Sequence, residues 1–445
     1  MNIIRVFMMV LVCWALTGFF VSAEDTDDSG IHNFTDESMP EDFSRENEVL
    51  NQVTPARIIT GDEAKNCDTR LVLIGTTGGI SWYPETDRAS SSSVLIVNDS
   101  WYIIDMGQGS AAKLSEALNY GDFMDTPEGR VETGSSTFLA HANALFFTHL
   151  HQDHTADYPS FLLIGAGAGL GTKRDPDTGK TVYVPLKVFG PANRGTLEAD
   201  KTNFSARGGQ VIYTDSSNPD LITPTPGTRQ MTDLIWQAFA QGINDVTLDD
   251  GYPDHRSLIE VHEIGGTESG DIPFPGIVVD PNSDSCPEMD PFEVYQDDNV
   301  RVTATLVDHH QVFPSIAYRF NTKDGSVVFS SDTGPDTKGN LQKLADGADI
   351  LLHEVIDRAW IDLKFGTPVP GSQMDALKTH MLTSHTANDV VGSVAESCNV
   401  TTLVLNHIVP GNTPYAHLLV AENDFPGEVI IGEDFMEIGL TRDTD

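Results

Sequence analysis

Positively charged residues are scarce in this chain. Its 445 residues include 26 Lys and Arg against 66 Asp and Glu, which gives a formal net charge of -40 at pH 7. Nucleic acids and anionic lipids are both bound largely through Lys and Arg, which neutralise their phosphates. We therefore expect no nucleic-acid partner and no docking of the protein on an anionic membrane surface.

Long apolar runs are also rare, and the one that stands out is at the N-terminus. Arg5 precedes the apolar stretch Val6–Phe20, and Val21-Ser22-Ala23 supplies small residues for a cleavage site. This order is typical of a secretory signal peptide over residues 1–23. An uncleaved membrane anchor is the alternative, although a span needs about 20 apolar residues. We expect a secreted or periplasmic protein with no membrane association after signal cleavage.

Cysteine is the third scarcity, with four residues and no CxxC motif. A zinc site built from cysteines is therefore not expected. Cys67 and Cys286 both stand in polar, loop-like sequence, so they are the favoured pair if an exported chain forms a disulfide. Whether they are paired stays open.

The remaining sequence divides into an acidic leader and one domain. Residues 24–66 are expected to be a disordered leader because aliphatic residues are few there. In residues 67–445 short strands alternate with helices, among them a hairpin at Val94–Val97 and Trp101–Ile104 and a helix at Thr232–Ile243. This alternation favours a layered α/β fold. The Pro-, Gly- and Asp-rich segment from about 195 to 299 is interpreted as an insertion that lines the pocket, with a separate small lobe as the alternative.

Four potential metal ligands stand within six residues, directly after the predicted strand Ala144–Phe147. The segment 148–154 reads THLHQDH, and its candidate ligands are His149, His151, Asp153 and His154. Imidazole and carboxylate groups suit Zn²⁺ and similar ions. The segment therefore predicts a metal site at the end of a buried strand.

The HxHxDH pattern resembles that of the metallo-β-lactamase-fold hydrolases, and their later motifs follow in order. Asp105 opens a DMG turn, His309 lies in VDHH, and His407 ends the triplet LNH. Asp332 lies in SSDT, where Ser331 replaces the usual glycine. The resemblance covers about residues 70 to 410. It implies a four-layer αβ/βα metallo-β-lactamase sandwich with an insertion.

The triplets HEV at 353–355 and SHT at 384–386 are similar to those of the branch that holds ribonuclease Z and arylsulfatase-like enzymes. The resemblance implies two divalent metal ions, with Zn²⁺ favoured, and no binding site for an organic cofactor. Seven ligands are implied, in two sets joined by a shared carboxylate: His149, His151 and His309 in the first, Asp153, His154 and His407 in the second, and Asp332 in both. His310 remains the alternative to His309.

Three residues are expected to act in catalysis: His385, Glu354 and Asp153. The resemblance implies that His385 is a general acid at the leaving group and that Glu354 orients it. The alternative is structural, with His385 merely starting a helix and Glu354 holding backbone amides.

The expected activity is that of an exported dinuclear-metal hydrolase that uses a metal-bridging hydroxide on a small ester, a sulfate ester or a phosphodiester. Alternatives are a ribonuclease Z-like endoribonuclease that processes tRNA 3′ ends, a lactonase and a non-catalytic metal-binding module. Only 332 − 309 = 23 positions separate His309 from Asp332, where ribonuclease Z carries a long basic arm. This short connection and the net charge favour a small-molecule substrate, while the exact substrate and the oligomeric state stay open.

Overall fold

Two mixed β-sheets form the centre of the structure, a computed structural model that describes residues 54–79, 82–120, 123–195, 225–266 and 270–442. The first sheet has eight strands, in the spatial order β1 (Arg57–Thr60), β19 (Glu437–Thr441), β2 (Thr69–Gly75), β3 (Ser92–Val97), β4 (Ser100–Ile104), β7 (Ala142–Phe146), β10 (Leu186–Pro191) and β11 (Ile259–Ile264). The second has seven, in the order β12 (Phe292–Gln296), β13 (Arg301–Leu306), β14 (Ile316–Asn321), β15 (Ser326–Phe329), β16 (Ile350–Ile356), β17 (Thr402–Val409) and β18 (Glu428–Ile431). Two hairpins stand apart from them: β5 (Phe123–Thr126) with β6 (Gly129–Glu132), and β8 (Thr172–Arg174) with β9 (Thr181–Tyr183).

The helices are short and lie between the strands. In chain order the α-helices of the described residues are α1 (Ser110–Leu118), α2 (Gln152–Thr155), α3 (Tyr158–Gly165), α4 (Thr228–Ala238), α5 (Ala240–Asp249), α6 (Asn340–Ala345), α7 (Arg358–Phe365), α8 (Gln373–Ser384), α9 (Val391–Ser397) and α10 (Tyr415–Leu418). Within these residues, no helix combines the length and the apolarity needed to cross a membrane.

Successive side chains of each strand point to opposite faces of its sheet, so most apolar residues of the two sheets belong to three buried clusters. Leu73 and Leu95 of the first sheet share one buried cluster with Phe320 and Val404 of the second, so the two sheets pack face to face. Their strand neighbours point the opposite way: Val72, Val94 and Ile96 pack with α1, α3 and α4, while Val328, Leu351 and Leu403 pack with α6 and α9. Helices therefore cover both outer faces, and the predicted four-layer αβ/βα sandwich is confirmed.

Each sheet contains a parallel half. Strands β4, β7, β10 and β11 run parallel in the first sheet, and β15, β16, β17 and β18 run parallel in the second. Ligand sites of α/β sheets lie at the carboxyl ends of such strands. The motifs at residues 105, 148–154 and 332 all follow the end of one of these strands.

The predicted signal peptide and the predicted leader up to residue 53 lie outside the described residues, as does the part of the predicted insertion at 196–224. The predicted leader, residues 24–66, extends too far, because Arg57–Thr60 is a strand that pairs antiparallel with β19 near the C-terminus. That pairing joins segments almost 400 residues apart, so composition did not reveal it. Parts of the predicted insertion belong to the sheets themselves, since β11 and β12 are edge strands.

Other local expectations also change. The helix predicted over Thr232–Ile243 is two helices that meet at Phe239, and Trp236 packs into the core behind the first sheet. The favoured disulfide is wrong in this structure, because Cys67 and Cys286 are both free thiols and Cys286 lies in the core between the sheets.

Asp349 ties three distant segments together, which generates a prediction about stability. Its carboxylate is buried and accepts hydrogen bonds from Ala56 N (2.7 Å), Ser326 N (2.8 Å) and Arg442 Nη2 (3.0 Å). Asp349→Asn puts an amide N–H against these donors. We expect the free energy of unfolding in urea to fall by about 3 kcal/mol, as for other broken buried ion pairs. Asp346→Asn is the control, since the Asp346 side chain is exposed, and an equal loss in both variants would contradict the assignment.

Candidate metal centre

Three histidines meet at the carboxylate of Asp332, which follows β15 of the second sheet. His149 and His151 lie on the segment after β7, and His309 follows β13. His149 Nε2 lies 3.8 Å from Asp332 Oδ2, and His309 Nε2 lies at the same distance from that oxygen. His151 Nδ1 is 3.4 Å from His309 Nε2. Ligand atoms of these four residues all lie within 4.8 Å of one another. They form the first of the two predicted ligand sets.

The other oxygen of Asp332 faces the second set. Asp332 Oδ1 lies 3.4 Å from His154 Nε2 and 3.2 Å from His407 Nε2. His407 Nε2 is also 3.2 Å from Asp153 Oδ2, and these four residues again lie within 4.8 Å of one another. The structure therefore brings together all seven predicted ligands, with Asp332 shared between the sets.

Hydrogen bonds on the far side of the rings determine which nitrogen faces the centre. His154 Nδ1 donates to Asp105 Oδ2 at 2.8 Å, and His309 Nδ1 donates to the carbonyl of Ser384 at 2.7 Å. Because these acceptors hold the Nδ1 proton, Nε2 is the nitrogen of each ring that points towards Asp332. Such backing is the usual arrangement of metal-binding histidines.

Asp105 secures the loop that carries the HxHxDH residues. It follows β4 with φ of 60°, in the left-handed region that Asp tolerates better than most residues. Its carboxylate accepts hydrogen bonds from Thr148 N and Thr148 Oγ1, both at 2.8 Å, in addition to the bond from His154. One buried carboxylate thus holds both the backbone of the loop and one of its rings.

Burial and neighbouring charges shift the pKa values of the groups in the centre in different directions. Burial lowers the pKa of His149, His151 and His309, which favours the neutral rings that bind metals. Burial also acts to lower the pKa of His154, but the carboxylates of Asp332, Asp105 and Asp153 outweigh it and raise that pKa well above its ordinary value. The pKa of Asp332 is held far below its usual range, because His407 and His154 outweigh the effect of its burial.

His385 and Glu354 adjoin the centre as a pair. His385 Nδ1 lies 3.3 Å from Glu354 Oε1 and 4.0 Å from Asp332 Oδ2. Glu354 Oε1 also accepts a hydrogen bond from Thr386 N at 3.0 Å, so it holds the backbone as well as the imidazole. Burial acts to lower the pKa of His385, but the Glu354 carboxylate outweighs it, and the pKa rises to about 9. The ring is therefore protonated at neutral pH, and its side chain keeps 12% exposure.

Sequence reasoning missed the glycines that approach the centre from the first sheet. Gly79 N donates to Asp153 Oδ2 at 2.6 Å. A Cβ on Gly78 would lie 2.3 Å from the His407 ring, so only glycine fits there. Tyr83, on the same loop, has a raised pKa because of its burial and the nearby Asp153 carboxylate. The Thr-Thr-Gly-Gly sequence directly after β2 was the available signal.

The residues present fit divalent metal ions. Among the described residues, the buried atoms His149 Nε2, His154 Nε2 and Asp332 Oδ1 have no hydrogen-bond partner, although buried polar atoms are nearly always paired. The ligand groups are imidazoles and carboxylates, which zinc and related ions prefer. Two adjoining sets with one shared carboxylate have the arrangement of a two-metal site.

No protein-family model matches this chain. Ribonuclease Z of Mycobacterium bovis (strain BCG / Pasteur 1173P2) is 24% identical over 371 residues, which are 83% of this chain and 97% of the relative. Ribonuclease Z of Mycobacterium sp. (strain KMS) is 25% identical over 83% of this chain and 95% of the relative. Among solved structures, the short form of human tRNase Z is 18% identical with a TM-score of 0.47, over 83% of this chain and 98% of that chain.

These sequence relatives confirm the predicted relationship to the metallo-β-lactamase superfamily, in its ribonuclease Z branch, and with it a metal-dependent hydrolase of ester bonds. The expectation of no nucleic-acid partner is wrong, because the relatives are enzymes named for acting on RNA. The charge of -40 is a sum over the whole chain. Salt screens charges beyond about 8 Å at physiological ionic strength, so this sum does not describe the surface at the metal centre.

The choice between His309 and His310 generates a prediction. The His309 ring faces Asp332, whereas the His310 ring packs on His380 with ring centroids 5.7 Å apart. We expect His309→Ala to lose at least one of two bound metal ions per chain, because the first set loses a ligand. His310→Ala is the matched control and should keep the metal content of the parent protein. Elemental analysis after dialysis measures both, and metal loss confined to His310→Ala would reverse the assignment.

Proposed function

We propose that this protein binds two divalent metal ions, with zinc favoured, and hydrolyses phosphodiester bonds of RNA in the manner of ribonuclease Z. The observation that carries the proposal is the set of seven ligands centred on Asp332, in a chain whose relatives are ribonuclease Z. His149, His151 and His309 would hold one ion, and Asp153, His154 and His407 the other. Bound ions of this kind supply a water of lowered pKa and neutralise the charge that develops on the phosphate.

The residues of the chain perform the remaining tasks. Asp105 and the Ser384 carbonyl fix the rings of His154 and His309, so the ligand atoms are oriented before a substrate arrives. His385 carries a proton at neutral pH and adjoins Asp332, where it can protonate the departing oxygen. Glu354 stabilises the charged ring and sets its direction.

A second candidate is hydrolysis of a small phosphodiester or sulfate ester. The connection between His309 and Asp332 supports it, because it consists of a short loop, β14, a tight turn at Gly325 and β15. No basic arm that would hold the body of a tRNA is present in that stretch. The two candidate functions share the metal chemistry and differ in the substrate that the surface around the metal centre binds.

One assay separates the two candidates. Metal-loaded protein is given a tRNA precursor with a 3′ extension, an unstructured RNA of the same length, and bis(4-nitrophenyl) phosphate. The proposal expects cleavage of the precursor near the 3′ end of its acceptor stem, with less cleavage of the unstructured RNA. Asp332→Ala is the control for contaminating nucleases, since loss of the shared carboxylate should abolish activity. Turnover of the small diester without any cleavage of the precursor would favour the second candidate.

The proton from His385 generates a prediction that holds for either substrate. His385→Ala should slow hydrolysis of alkyl phosphodiesters by roughly 10²–10⁴-fold, the usual effect of a lost proton donor. Nitrophenyl diesters should be slowed far less, because nitrophenolate leaves without protonation. The kcat ratio of the two ester types measures the effect, and equal losses would assign His385 a structural role.

We also propose that the protein is exported and cleaved after Ala23, which the order of Arg5, the apolar run and Val21-Ser22-Ala23 supports. These residues lie outside the described part of the chain. The mass of the protein purified from its natural source should correspond to a chain that begins at Glu24. A mass that includes Met1 would instead support a membrane anchor.

A further inference from the structure

A polar layer lies between the two sheets, directly beneath the metal centre. On β3, Ser93 points to the same side as Leu95, towards the second sheet. On β17 and β16, Asn406 and Glu354 follow the same alternation as Val404 and Leu352, towards the first sheet. Side chains from both sheets thus replace the apolar core with polar groups at this level.

These side chains surround a cavity of about 30 Å³. Ile104, Phe329 and Leu352 line it from the apolar core, and His154, Asp332 and His407 line it from the metal centre. Neither Asp153 nor any histidine of the first ligand set lines it. The cavity therefore borders three of the four ligands of the second set and extends from them into the space between the sheets.

Several buried polar atoms of the residues that line this cavity have no hydrogen-bond partner among the described residues. Two of them, Asn406 Oδ1 and Glu354 Oε2, are acceptors that belong to neither ligand set, in side chains whose residues are 5% and 2% exposed. An unpaired buried acceptor costs about 1–3 kcal/mol, so a donor is expected here. Two acceptors cannot satisfy each other, and the wall of the cavity has neither Lys nor Arg.

A water molecule matches this site in size and in hydrogen bonding. About 10–15 Å³ of accessible volume is enough for one water, and a buried water needs two to four polar partners. We propose that one buried water binds in this cavity, donates to Asn406 Oδ1 and Glu354 Oε2, and accepts from the Ser93 hydroxyl. The water then connects Ser93 of the first sheet with Asn406 and Glu354 of the second.

The link has a consequence for catalysis. Glu354 Oε1 is held by Thr386 N and faces His385, while Oε2 is held only by the water. Asn406 and Ser93 are thereby positioning residues that act on His385 through the water and Glu354. Without them Oε2 loses its partner while Thr386 N and Thr333 N still hold Oε1, so the carboxylate can rotate about Oε1 and the imidazolium is less well directed towards the leaving oxygen.

The first test is a high-resolution crystal structure of the full metal-loaded protein. Electron density for a water within hydrogen-bond distance of Asn406 Oδ1 and Glu354 Oε2 is expected, and Asn406→Leu should abolish it. A dry cavity in the parent protein overturns the proposal. This test does not depend on the substrate.

The second test is kinetic and rests on the proposed phosphodiester hydrolysis. Ser93→Ala should lower kcat for alkyl diesters roughly tenfold more than for nitrophenyl diesters, as expected for a slightly misplaced proton donor. Its metal content should equal that of the parent protein. Ser92→Ala is the matched control, because Ser92 is also buried but points with Val94 to the opposite face of β3.

The outcomes distinguish the two proposals. Equal slowing of both ester types by Ser93→Ala, with the water present, would overturn the positioning role. A parent protein that hydrolyses neither the tRNA precursor nor either small diester would refute the proposed function, and the crystal structure would still decide whether the water binds.

Discussion

The buried carboxylate of Asp332 is the interaction on which the rest of the centre depends. It is 2% exposed, and burying an anion is costly unless opposite charges or hydrogen bonds surround it. Each of its oxygens faces a separate group of imidazoles, so a single side chain determines where both ligand sets must converge. His407 and His154 lower its pKa, and the same contact raises the pKa of His154. The members of the cluster are stable in the interior only together.

The cluster is possible because the sandwich places the ends of strands from both sheets next to each other. Asp105 and His149 follow strands of the first sheet, while Asp332 and His407 belong to the second, so the centre spans the top of the interface between the sheets. Below it, aromatic and aliphatic side chains from both sheets form the apolar core. The rigidity of that core keeps ligands from distant parts of the chain within hydrogen-bonding distances. A loop alone would not hold seven polar groups in this way.

Sequence reasoning succeeded where the relevant information is local. The HxHxDH segment and the hairpin of β3 and β4 are each contained within a few residues, and the structure places both as expected. It failed where distant segments meet through space. No pattern near Arg57 indicates that β1 pairs with β19, and none near His309 indicates that the Ser384 carbonyl would orient its ring. The failed pairing of Cys67 and Cys286 has the same cause, because two cysteines in similar sequence surroundings need not lie close together in the fold.

The charge of the chain misled for a related reason. A sum of -40 treats every carboxylate as if it faced the substrate, but salt limits each charge to about 8 Å. Within the centre, Asp105, Asp153, Asp332 and Glu354 contribute four negative charges, and the protonated His385 offsets one of them. Two divalent ions in the predicted sets would add four positive charges and leave the centre positive. Under the proposed function, a substrate phosphate would then be attracted over the last few ångströms, whatever the charge of the distant surface. Under the proposed function, discrimination between a small diester and an RNA would therefore depend on the surface that surrounds the centre and not on the net charge of the chain.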